Sequence, residues 1–204
     1  MPISIRDRRG AKGHPATGSR GQALVEFALV FPLFMVLMLF IIEFAFVFSA
    51  VLGVNYASRN AALAAAEAGD DDLADCVILQ QVESSIGSPG NKANITTVTI
   101  YLTDQSGSAR LKTLTYTRGG TTTCTKGSTT MSVPYSSPSG TYTSAKRCNV
   151  LNGCVIDGVA RKIDTIGVEI TYQHAWVTPI RNFGGGGTGV TLTQSNAMRM
   201  EPIL

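Results

Sequence analysis

The sequence predicts an α+β protein. One long N-terminal transmembrane helix extends into a domain with a second helix and an antiparallel sheet of about four strands. Three observations predict it. Phe27 to Ile42 is sixteen residues without a charge, and beyond Glu43 the apolar run resumes from Phe44 to Val54. Together they exceed the roughly 20 residues that cross a bilayer core as a helix. Past Gly69 the pattern changes to one amphipathic stretch and then to runs alternating apolar and polar residues with a period of two.

The front of the chain carries its charge. Arg6, Arg8, Arg9, Lys12 and Arg20 stand against Asp7, a net +4 in a chain of net +3, so the remainder is −1. The basic balance belongs to this leader, which excludes a nucleic-acid-binding reading. Pro, Gly and charge without apolar periodicity mark residues 1–20 as a disordered leader. An excess of Lys and Arg on one flank puts the N-terminus on the cytoplasmic side of the membrane and the C-terminus outside. An ordinary secretory signal places its small-residue cleavage site after an apolar core of roughly 7–15 residues. Here the core is longer and the small residue, Gly21, precedes it. The plain alternative is an uncleaved signal anchor.

Glu26 stands at the start of the apolar run. A carboxylate is costly at membrane depth, yet it is favoured at a helix N-terminus by the macrodipole. A cut after Gly21 would give Gln22 a free ammonium, with Glu26 four residues on and on the same helical face. That ammonium, or the one on a neighbouring copy, can neutralise the carboxylate.

Gly21, four further residues, then Glu26-Phe27 and a long apolar helix resemble the processing site of type IV prepilins. The likeness is greatest to the Tad/Flp (type IVc) branch, whose pilins usually show Gly-x4-Glu-Tyr; Phe27 departs from that Tyr by a hydroxyl. The run from Gly21 to Pro32, followed by Ile41-Ile42-Glu43-Phe44, is similar to TadE-like proteins. Val168 to Tyr172, Trp176 to Pro179 and Ala197 to Pro202 resemble the closing strands of that family. The resemblance implies a pilin-like fold and the role of a minor pilin (pseudopilin) in assembly of a Tad-type pilus. A membrane prepilin peptidase would cut between Gly21 and Gln22. The implied partners are that peptidase, other pilin and minor-pilin subunits, the assembly platform and the lipid bilayer, with no cofactor. The division expected is a leader at 1–21, a membrane and extended helix at 22–68, and an extracytoplasmic domain at 69–204. The rival expectation is a membrane-anchored module that binds a surface ligand and never enters a filament.

Along the helix, Pro32 removes a backbone donor and is expected to bend it. Glu43 lies seventeen residues past Glu26, about 25 Å along the axis. There it is either a buried partner for another subunit or a carboxylate reaching the outer headgroups. Ala45, Ser49, Gly53, Ala57, Ala61 and Ala65 recur every four residues, a stripe that lets another helix approach closely. The same stripe could instead pack on its own domain.

Gly69 and the acidic run Asp70-Asp71-Asp72 end this helix and open a second one, with Leu73, Cys76, Val77, Val82 and Ile86 on its apolar face. Val98, Ile100 and Leu102 mark a first strand, Leu111 to Thr117 a second, Ile166 to Tyr172 the clearest, and Val190 to about Met200 the last. Residues 118–150, rich in Gly, Thr and Ser, read as a long loop. The glycine run at 184–187 reads as a hairpin connection, since no Lys-Ser/Thr follows it.

Cys76, Cys124, Cys148 and Cys154 all lie beyond the membrane helix, and their spacing fits no zinc site. Two disulfides are expected. The Asn152-Gly153 turn signal favours closing Cys148 on Cys154, although three pairings remain open. His174 falls on the apolar phase of its strand, the position of a packed histidine rather than a catalytic base. Neither a nucleophile elbow nor a carboxylate pair appears, so no enzymatic activity is expected.

Overall fold

Unbroken apolar sequence with few β-branched interruptions makes the first element. In the computed structural model, α1 spans Ser19–Ala68 and continues through Pro32. The structure describes residues 19–88, 90–107, 109–178 and 189–203; the glycine run and most of the leader lie outside these. Gly69 ends α1 with φ +59°, the left-handed cap that glycine adopts without strain. Its amide donates to the Ala65 carbonyl at 3.3 Å. A Cβ at Gly69 would stand 2.2 Å from the Asn149 side chain, so the position also demands closeness.

The chain forms two compact units, Met1–Ile41 and Ile42–Leu204. In the first, α1 exposes large apolar side chains in every direction, among them Leu24, Phe27, Leu29, Val30 and Leu33. A helix apolar on all sides is stable only in an apolar surround.

The second unit begins within the helix, at Ile42. The reason is burial: Ala50, Val54, Ala57, Ala61, Ala62, Ala65 and Ala66 join the core of the sheet domain. The second helix, α2 (Ala74–Ser85), buries Ala74, Asp75, Cys76, Ile78, Leu79 and Val82. Expected core positions Leu73 and Val77 are only half-buried; Ile78 and Leu79 take their place.

Alternating β-branched residues build the sheet. Its strands are β1 (Ile95–Thr103), β2 (Arg110–Lys126), β3 (Thr129–Tyr135), the short β4 (Ser139–Gly140), β7 (Thr165–Ala175) and β8 (Gly189–Arg199). The order is β3-β2-β1-β7-β8, with β4 paired to β2, and each pairing is antiparallel. A separate hairpin joins β5 (Cys154–Ile156) to β6 (Val159–Arg161). One face of the sheet gives Val98, Ile100, Leu114, Tyr116, Ile166, Val168, Ile170 and Tyr172 to the core. The other face carries Thr97, Thr99, Thr115 and Glu169, and there Thr99 and Thr115 share a hydrogen bond of 3.1 Å.

Residues 118–150 correct the sequence reading. β2 continues to Lys126 and β3 returns from Thr129, around Gly127 at φ +59°. Threonine at 121, 122, 123, 125, 129 and 130 supplies β propensity without an apolar face. These strands are mostly exposed, and the one short apolar alternation, Met131, Val133 and Tyr135 on the buried side of β3, stands in a stretch otherwise rich in Ser and Thr. Gly127-Ser128 between two threonine runs is the hairpin signal that was present.

A buried charged network ties the 140–164 segment to the α1–α2 junction. The Arg147 side chain is 0% exposed and pairs with Asp75; it also reaches the Gly69 carbonyl at 3.4 Å. Asp75 accepts from the Tyr116 hydroxyl at 2.8 Å. Tyr142, under the Arg147 guanidinium, donates to Asp164 at 2.9 Å. Burial first, and then the neighbouring carboxylates, pushes both phenols above the usual tyrosine range.

Candidate functional site

The residues singled out from sequence separate into a front group and a boundary group. At the front, in the first unit, Gly21 has no heavy atom within 4 Å of where a Cβ would stand. Among the described residues, then, no side chain crowds this position. Next to it, the Gln22 side-chain amide donates to Glu26, one turn on, at 2.9 Å, an i, i+4 contact distinct from the ammonium pairing expected after a cut. Phe27 follows, exposed, its ring 5.2 Å from that of Phe31.

At the boundary, Glu43 is 3% exposed. Its carboxylate accepts from the backbone amides of Val177 at 3.1 Å and Thr178 at 2.8 Å, and lies 3.4 Å from His174 Nε2. Both sequence readings turned this carboxylate away from its own chain, towards another subunit or the headgroups. It is instead satisfied by its own domain, because β7 ends at Ala175 and the next amides leave the sheet without strand partners. His174 is packed, as expected, and its neighbour is a carboxylate that nothing nearby in the sequence announces. The signal lay in two polar residues, each on an apolar phase, 131 positions apart.

The small-residue stripe divides. Ala45 is exposed, Ser49 and Gly53 are half-buried, and Ala57, Ala61 and Ala65 are fully buried in the core. For its distal half the packing partner is the chain's own domain rather than a second helix. Four residues overshoot a turn by about 40°, so the stripe winds from solvent into the core.

The cysteines form two disulfides, Cys76–Cys124 and Cys148–Cys154. The first ties α2 to β2. The second closes the turn through Asn152-Gly153, where Gly153 has φ +83°.

The structure is thus an α+β sheet domain whose core takes in the far end of a helix that is, by length and composition, apolar enough to cross a membrane. Residues 21–63 match the family model of TadE-like proteins. Over that stretch, which starts at Gly21 itself, the chain is similar to TadE-like proteins. No curated protein matches the chain, and no solved structure does.

Proposed function

We propose that the chain is a minor pilin (pseudopilin) of a Tad-type, type IVc pilus, made as a prepilin-peptidase substrate and cut between Gly21 and Gln22. The observation that carries this reading is the family match beginning at Gly21 and running through the apolar helix. The peptidase reads the small side chain beside the scissile bond. Release of the basic leader leaves a helix whose only early charge, Glu26, is matched by the new ammonium at Gln22. In the uncut chain the Gln22 side chain already reaches Glu26, so the two positions are in register for that pairing. The protein acts as a substrate and then as a subunit, not as a catalyst. Its partners are the peptidase, other pilin and minor-pilin subunits, the assembly platform and the bilayer. It is a single-pass protein of the inner membrane with the sheet domain outside, a setting that suits two disulfides.

The N-terminal sequence of membrane-extracted protein tests the cut. Gln22 as first residue is expected, and Met1 or Pro2 in cells with an active peptidase would sink it in favour of the anchored binding module. Gly21→Leu should stay full length. Glu26→Gln should be trimmed and inserted yet assemble poorly with other subunits. Normal piliation by that variant would remove the assembly role of Glu26.

A further inference from the structure

We propose that Trp176 and Val177 form a lipid-facing foot, held with Thr178 by Glu43, that rests in the interfacial layer of the bilayer. The inference rests on the reading that the apolar helix lies in the membrane, and adds to it the place where the sheet domain meets lipid. Gln22 to Ile42 is 21 residues, about 31 Å of helix at 1.5 Å per residue. That equals the hydrocarbon thickness of about 30 Å, so Glu43, the first charge beyond it, stands at the hydrocarbon edge.

At that level the chain leaves β7. The Val177 and Thr178 amides, which no strand receives, are both taken by Glu43. In water such amides are solvated without help. Against hydrocarbon they must find a protein acceptor, and a buried carboxylate provides one. The same clamp leaves apolar side chains outward: Val177 is 63% exposed, and Phe44, one residue along the helix from Glu43, is 72% exposed. Trp176 lies between the clamped amides and the end of β7, half-buried. Tryptophan is the residue most at home where lipid tails give way to headgroups.

Trp176 is the sole tryptophan of the chain, so its fluorescence reports this segment alone. The full-length chain is reconstituted into phosphatidylcholine vesicles whose lipids carry bromine either near the headgroup or near the chain end. Strong quenching by the shallow bromines, weaker quenching by the deep ones, and blue-shifted emission are expected. Val177→Asp, a change at an exposed position, should lose most of the shallow quenching, and Glu43→Ala should lose its depth dependence. A chain that resists alkaline carbonate extraction while no brominated lipid quenches Trp176 overturns the foot and leaves the span intact. A chain stripped by carbonate overturns the span and the foot with it. Unchanged quenching in both variants overturns the clamp.

Discussion

Replacing Arg147 with methionine keeps most of the side-chain volume and removes the cation from the buried network. The side chain of Arg147 is 0% exposed and that of Asp75 is 12% exposed, so water cannot replace what is lost. Asp75 would keep the Tyr116 hydroxyl at 2.8 Å but no counter-charge, and the Gly69 carbonyl would lose its donor. Leaving one member of a buried ion pair alone costs about 3–5 kcal/mol. A domain of ordinary stability has about 5–15 kcal/mol in all, so the loss is a fifth of the total at the least. Urea unfolding of the full chain in mild detergent, followed by Trp176 fluorescence, measures it. Lys112→Met provides the comparison, since the Lys112–Asp157 pair is 34% and 48% exposed and such pairs contribute about 0–1 kcal/mol. The double change Arg147→Met with Asp75→Leu removes both charges and should recover most of the loss. An Arg147→Met cost no larger than that of Lys112→Met would refute the network's role. So would a double variant as damaged as the single one.

The two disulfides should differ in weight. Cys76–Cys124 closes 48 residues and Cys148–Cys154 closes 6, which in the chain-entropy account is about 4 against about 2 kcal/mol. Paired alanine replacements compared by urea midpoint would test that order, and a reversed order would defeat the account. Gly167→Ala would put a Cβ 2.2 Å from the Tyr101 ring, which is also held under Arg110. Overpacking of this kind costs about 1–3 kcal/mol, and a neutral result in the same titration would show that the ring moves freely. Asp71 lies below its ordinary 3.8 chiefly because Lys126 donates to it. A carboxylate lowered on folding contributes stability above its unfolded pKa that is lost as pH falls through the folded value. Unfolding titrated downward from pH 4 should therefore show a slope that Lys126→Met flattens, and an unaltered acid profile would count against the pair.

The long helix was legible from an apolar run too long for anything else, and α2, β1 and β7 from the period of their apolar side chains. Ile166, Val168, Ile170 and Tyr172 alternate in sequence and are all buried in the structure. The β2–β3 hairpin was hidden because most of its threonines are exposed, which left the short Met131, Val133, Tyr135 alternation as its one apolar signal. At the site, Gly21, Gln22 and Glu26 could be read from local spacing, since an i, i+4 contact is fixed by the helix itself. The partner of Glu43 could not, because the Glu43–His174 contact depends on how a strand end meets a helix 131 residues away. Arg147 and Asp75 gave no warning either, since a charged residue in a polar stretch reads as solvated until tertiary packing closes over it. The stripe showed a different limit: its spacing announced close packing and was silent on which surface would receive it.

The alanines of α1 have a mechanical consequence. Ala57, Ala61 and Ala65 are core residues of the sheet domain on the same helix that carries the apolar anchor. A pull on the part of that helix beyond Ile42 is therefore borne by packing inside the domain. It loads the helix–sheet contact in shear, along with the Glu43 clamp, the Asn196–Asn55 hydrogen bond at 3.2 Å and the Glu201 amide bonded to the Ala66 carbonyl at 3.0 Å. Many short contacts strained in parallel yield together or not at all, so this part of the helix and the sheet separate in a single step.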